Sequence, residues 1–177
     1  GSMPDGQWPV ADAATFKPGA AISIEAGYGD AQKTLFAGIV VKLGMRIAGD
    51  NTSTLVVDCR DKAARMTIGR KNALFKDCED SAAIKQVIGR HGLRATVQTT
   101  PVKHAELVQY YCSDWDFVMA RAEANGLLVT VQDGEVSVRA PQTGAEAALQ
   151  VTWGADLIEF NAELDARSQL QSVQAVA

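Results

Sequence analysis

The sequence is short of the residues that most chemistry needs. Its 177 residues include only two histidines, His91 and His104, and three cysteines, Cys59, Cys78 and Cys112. Two histidines starve most metal-binding and acid–base schemes. The cysteines are too few and too scattered for a disulfide framework, and no CxxC or HxxxH spacing occurs. An odd count suits a reducing cytoplasm, with the thiols acting as small hydrophobes. Basic residues are not in surplus: 17 Lys and Arg stand against 21 Asp and Glu, for a formal charge of −4. Phosphate contacts need such a surplus, which argues against nucleic acid as a partner. No apolar run is long enough to span a membrane, and no signal-peptide pattern is visible. Neither GxGxxG nor GxxxxGK(S/T) occurs, and no GxSxG elbow presents a nucleophile.

What remains is ordinary for a folded protein. Hydrophobic residues make up 47% and charged residues 21%. The length suits one domain or two small ones. Gly1-Ser2-Met3 reads as the remnant of a cleaved expression tag, and Pro4 to Pro18, rich in Pro, Asp, Gly and Ala, as a tether. The C-terminal residues alternate apolar and polar from Leu157 onward with no closing turn. This pattern suggests a piece of a longer protein, since a final strand is rarely left half paired.

Three strands are expected near the start. Residues 20–26 alternate, residues 34–43 form a second strand containing Gly38, and Thr54 to Cys59 form a third, Val-rich and expected to be buried. Gly27-Tyr28-Gly29-Asp30 and Ala48-Gly49-Asp50-Asn51 supply the turns of an antiparallel meander. A glycine inside a strand suggests a bulge or a bend. The texture changes near residue 73. Asp77 to Gly92 reads as a helix with Ile84, Val87 and Ile88 on one face, capped by Asp77 or Asp80 and ended by Gly92. Arg94 to Thr99 reads as a strand, interrupted by Pro101.

Ser113 with Asp116 three residues on is a capping-box start for a second helix. Trp115, Val118, Met119 and Ala122 mark its buried stripe, and Asn125-Gly126 its end. Leu127–Val131 and Val136–Arg139 flank Asp133-Gly134, a type I′ hairpin signal. Pro141 to Ala148 reads as a linker, and residues 149–177 return to β texture. The fold class expected is β-rich α+β: an antiparallel β-barrel-like domain with an inserted α+β subdomain of two helices plus a hairpin. The divisions are 1–14, tag remnant and tether; 15–72 plus 149–177, the discontinuous β domain; and 73–148, the insertion.

Few residues compete for a chemical role. Asp114, Asp116 and Glu123 form an acidic cluster; Asp114 or Asp116 with His104 is the hydrolase alternative, and His104 could also pair with Cys112. Helix capping and dipole complementation explain those aspartates equally well. His104, in a polar stretch after Pro101, is expected at the surface, and His91 at a helix end where a cation is favoured. Arg60, Lys62, Arg65, Arg70 and Lys71, offset only by Asp61, form a basic stretch. It suits a solvated face, a subunit contact or an acidic partner, and no aromatics interleave it for single-strand binding. Trp8, Trp115 and Trp153 are the possible platforms of a carbohydrate- or peptide-binding face. No catalytic, cofactor-binding or metal residue is expected, and no cofactor.

Some of these blocks have a family likeness. Phe16-Lys17-Pro18-Gly19 followed by Thr34-Leu35-Phe36-Ala37-Gly38-Ile39-Val40 resembles the opening of the VgrG and phage late-control D family. Asp58-Cys59-Arg60-Asp61 with Ala63 resembles its next strand. Gln109-Tyr110 and then Ser113-Asp114-Trp115-Asp116-Phe117-Val118 to Arg121-Ala122-Glu123-Ala124-Asn125-Gly126-Leu127 resembles its most specific block. Residues 157–172 resemble the strand pair that follows. The resemblance implies a hub component of a contractile injection machine: a type VI secretion spike, a related injection particle or a phage tail. It implies a structural protein and not an enzyme. It further implies a homotrimer in the full-length protein, tube and baseplate proteins as partners, and assembly in the cytoplasm before secretion or incorporation into a particle.

Overall fold

A computed structural model describes residues 13–29, 31–49, 52–165, 172 and 174. Two compact units divide the chain, Gly1–Pro141 and Gln142–Ala177. The first unit opens with β1 (Ala21–Tyr28), β2 (Ala31–Ile47) and β3 (Ser53–Arg60), an antiparallel meander in the order β1-β2-β3. β2 is a 17-residue strand. Its ladders are irregular between Ile24 and Glu25 on one side and between Val40 and Lys42 on the other. The expected irregularity therefore lies beside Gly38 and not on it. Gly38 serves close approach instead: a Cβ there would sit 2.2 Å from the Arg60 carbonyl oxygen.

The fold class is β-rich α+β, as expected, but the β1–β3 sheet does not close into a barrel among the described residues. β3 is also not buried. Its side chains alternate between half-buried and exposed, because it is an edge strand with one neighbour.

A 3₁₀ helix, Lys62–Thr67, leads into β4 (Lys71–Glu79), α1 (Asp80–Gly89), β5 (Arg94–Val97), β6 (Lys103–Cys112), α2 (Asp114–Ala124), β7 (Leu128–Gln132) and β8 (Glu135–Arg139). β4 pairs antiparallel with β6. β8 pairs antiparallel with β7 and parallel with β5, giving the order β5-β8-β7. The helix expected from Asp77 starts only at Asp80, because residues 71–79 are claimed by pairing with β6. Asp77 has φ +50° within β4, and Glu79, the N-cap, makes no side-chain capping bond. Gly92 does turn the chain, with φ +67°.

The hairpin turn forms as its sequence indicates, Asp133 and Gly134 both having positive φ. The capping box also forms in full. Ser113 Oγ accepts from the Asp116 amide at 3.0 Å, and the Ser113 amide donates to Asp116 Oδ2.

One core serves the 3₁₀ helix and everything after it up to β8. Met66, Ile84, Val87, Ile88, Val118 and Val136 are fully buried in it. On α2 the buried stripe is Phe117, Val118 and Ala122, with Phe117 stacked on Phe75 at 5.4 Å. Trp115 and Met119, expected in that stripe, are half-buried. No β1 or β3 residue belongs to this core.

In the second unit, the β texture expected over 149–177 is not realised among residues 149–165. They hold one isolated bridge, Trp153–Leu157, and a turn around Thr152. Alternation forms a strand only beside a partner, and Leu149, Trp153, Ile158, Phe160 and Leu164 stand exposed. Residues 166–171, the end of the expected strand pair, and Trp8 lie outside the described residues.

Core position, not hydrophobicity alone, should decide mutational cost. Ile84→Ala is expected to lower unfolding free energy by about 3 kcal/mol. Leu35→Ala, at a site 68% exposed, should change it by less than about 0.5 kcal/mol. Urea denaturation of both variants measures the difference.

Candidate functional site

Two buried aspartates organise the polar interior. Each is the first residue of a helix, where a carboxylate complements the positive end of the macrodipole. Each is almost wholly removed from solvent, so its charge requires partners.

Asp80 opens α1. Its Oδ1 accepts from Arg121 Nε at 2.5 Å, and its Oδ2 from Asn125 Nδ2 at 3.0 Å. His104 Nε2 lies 2.9 Å from the same Oδ2. Asp114 opens α2. Its Oδ2 accepts from Lys71 Nζ at 2.5 Å and faces His91 Nε2 at 2.6 Å. Its Oδ1 accepts from Gln109 Nε2 at 2.9 Å, with Arg90 Nη1 3.7 Å away. Against an ionised carboxylate, each histidine Nε2 acts as the donor. Asp80, at the start of α1, thus holds the end of α2, and Asp114, at the start of α2, holds the end of α1. The two helices therefore lie antiparallel, each dipole's positive end beside the other's negative end.

Burial pushes the Asp80 carboxyl up, but hydrogen bonds from Arg121, Asn125 and His104 outweigh it and lower its pKa from 3.8 to about 2. Asp114 follows the same balance. Burial raises it, while Gln109, Lys71 and His91 bring it down to about 2. Burial also pushes the Cys78 thiol up, helped by the negative charge of Asp80, which leaves it a poor nucleophile.

The geometry separates the residues of the hydrolase alternative. His104 faces Asp80, Asp116 is spent on the Ser113 cap, and Asp114 is held by Lys71, His91 and Gln109. His104 lies on β6 and not in a loop or at the open surface. Local sequence marks Asp80 only as a cap and Asn125 only as a helix end, and nothing in the spacing of Asp80, Arg121, Asn125 and Gln109 shows that they bond to a buried aspartate cluster. Among the described residues, no group of three or more His, Cys, Asp and Glu could hold a metal ion. The three cysteines are free thiols. Of the tryptophans, Trp153 is 74% exposed and Trp115 packs against the core. No described helix is long and apolar enough to cross a membrane.

These clusters hold structure together; exposed surface is where the molecule can meet others. Apolar side chains of the β1–β3 sheet are uncovered, including Ile24, Leu35, Met45, Ile47 and Val56.

Residues 1–177 match the family profile described as the Alg8 N-terminal domain. No curated protein matches the chain. Among solved structures, a 43 kDa tail protein of prophage MuSo2 from Shewanella oneidensis is similar at a TM-score of 0.55 and 16% identity. The alignment covers 70% of this chain and 38% of that one. A tail protein from Neisseria meningitidis MC58 gives 0.53 at 13% identity, covering 66% and 37%. The E. coli c3393 protein gives 0.52 at 16% identity, covering 71% and 38%. It is described as a component of the type VI secretion system with structural similarity to the T4 bacteriophage tail proteins gp27 and gp5. The chain thus shares its fold with part of these tail proteins and spans less than two fifths of their length.

The lowered carboxylates fix a direction for pH dependence. A depressed folded-state pKa contributes stability that is present above the unfolded value and lost as pH falls through the folded one. Each aspartate should therefore lose about 2 kcal/mol of stabilisation between about pH 5 and pH 2. Asp114→Asn should cost about 3 kcal/mol at pH 7, by leaving Lys71 and His91 without their carboxylate. It should also shed its share of the acid sensitivity. Guanidinium denaturation at pH 7, 4 and 2.5 measures both effects.

Proposed function

The chain belongs to the Alg8 N-terminal domain family, and on that premise we propose that it is a structural hub component of a contractile injection machine or phage-like tail. The observation that carries this reading is the uncovered β1–β3 sheet. Its longest strand runs 17 residues, and its side chains contribute little to any core of the chain. A sheet with apolar residues exposed in this way gains stability by meeting further strands or further copies. The shared fold with tail proteins and a type VI secretion component supports the same reading.

The full proposal is a homotrimer in the full-length protein, docked between tube and spike, with tube and baseplate proteins as partners. It includes cytoplasmic assembly followed by secretion or incorporation into a particle. Residues 15–72 and 149–177 belong in it to one hub domain, with 73–148 inserted. The protein acts as a mechanical part and not an enzyme, without catalytic, cofactor-binding or metal residues. Transmitting force asks for paired backbone and rigid cores, which the helix clasps supply. The hydrolase alternative draws no support from geometry that gives Asp114, Asp116 and His104 separate partners.

Light scattering over a concentration series tests the assembly. The mass is expected to rise from 18.8 kDa toward about three times that value. Leu35→Lys with Val56→Lys should hold it at one chain. A wild-type mass fixed at 18.8 kDa at every concentration would overturn self-assembly through this sheet.

A further inference from the structure

A cavity of about 540 Å³ lies where the end of the β2–β3 ladder meets the 3₁₀ helix, α2 and β7. Ile39 and Ala63 lie buried in its lining, while Val41 and Ile68 are exposed, Ile68 by 71%. Trp115 also lines it, which accounts for its being only half-buried on a helix that buries Phe117 and Val118 in the core. The wall is therefore apolar with one indole, a composition suited to receiving a bulky hydrophobic group.

Its charge is one-sided. Arg60 and Arg65 both line the cavity, and Lys62 lies between them in sequence. None of the three has a carboxylate partner among the described residues. The lining's own acid, Asp61, is committed elsewhere. Its Oδ1 accepts from the Ala63 amide at 2.8 Å and its Oδ2 from the Gly134 amide at 2.9 Å. Two guanidiniums beside an apolar cavity thus stand without counter-ions among the described residues, in a chain whose net charge is −4.

We propose that this cavity docks an acidic peptide segment of a partner protein, with a bulky apolar side chain inside and flanking Asp or Glu side chains on Arg60 and Arg65. Charge complementarity selects the acid, and guanidinium forks suit carboxylates. A peptide fits better than a single-headed amphiphile such as a fatty acid. Two separate cations, one ending β3 and one on the 3₁₀ helix, call for more than one carboxylate. The volume suits about one or two bulky side chains. The inference is independent of the hub reading, and concerns which surface a partner grips, not how copies assemble.

The test is a displayed library of random 12-residue peptides, selected on the full chain and re-tested on Arg60→Gln/Arg65→Gln. Both arginines are exposed, so the double variant should fold as the parent does, which its amide NMR spectrum checks. Enriched peptides are expected to carry an aromatic or large aliphatic residue flanked by Asp or Glu. They should bind the double variant about tenfold more weakly. On wild-type protein they should shift the Trp115 indole N–H and the Ile39, Val41 and Ile68 methyl resonances. No enrichment, enriched peptides without acidic residues, or equal binding to the double variant would each overturn the proposal. So would saturable shifts of those resonances with dodecanoate but not with any selected peptide, which would make the site one for a small amphiphile.

Discussion

Two carboxylates that cannot reach water set the terms for the α+β part of this protein. Asp80 and Asp114 are buried at the first positions of their helices. An ionised group so placed must be neutralised by what surrounds it. The partners come from the far ends of the opposite helices and from β4 and β6. The helix pair, the β4–β6 ladder and the intervening core are consequently fixed by the same few contacts. Apolar packing supplies the bulk of the driving force, but the aspartates specify which helix end meets which.

This arrangement also accounts for where the protein's scarce histidines sit, each half-buried beside a buried carboxylate. Each is engaged with a buried aspartate. Each spends Nε2 on a carboxylate that already has two or more other donors. In three dimensions both imidazoles take part in compensating the charge of a buried carboxylate. The surface tells the opposite story. Apolar side chains stay uncovered along β1–β3, and Arg60 and Arg65 beside one cavity have no carboxylate partner among the described residues.

Legibility in the sequence followed the range of the forces. The strand order of the meander, the capping box and the Asp133-Gly134 turn are encoded within a few residues and form in the structure, although Gly27 and Tyr28, expected in the first turn, end β1 and the second strand is longer than residues 34–43. β4 and β6 were hidden. The inward row of β6 contains Gln109, fully buried and polar, which breaks the apolar alternation. β4 ends in the acidic run Asp77 to Glu79, which reads as a helix start. The aspartate clusters were unreadable for another reason: most of their contacts join residues 23 to 45 positions apart. Asp114 was noticed but read as a dipole partner, and Asp80 as a cap; both sit at helix starts, yet neither is the capping residue. The basic stretch 60–71 was also heterogeneous. Lys71 is committed to Asp114 and Arg70 to the Tyr111 carbonyl and ring, while Arg60 and Arg65 remain open.

The contact between Asp61 and the Gly134 amide spans 73 residues, and it bears on how the chain reaches its folded state. The same carboxylate starts the 3₁₀ helix through Ala63. Half of its bonding is local and available early, while the other half must wait until the β7–β8 turn exists. Closing so long a loop is entropically slow unless other contacts have already shortened it. The cavity wall that carries Arg65 is therefore tied to the β7–β8 turn by a contact of long sequence separation, whose loop-closure entropy the rest of the core must offset.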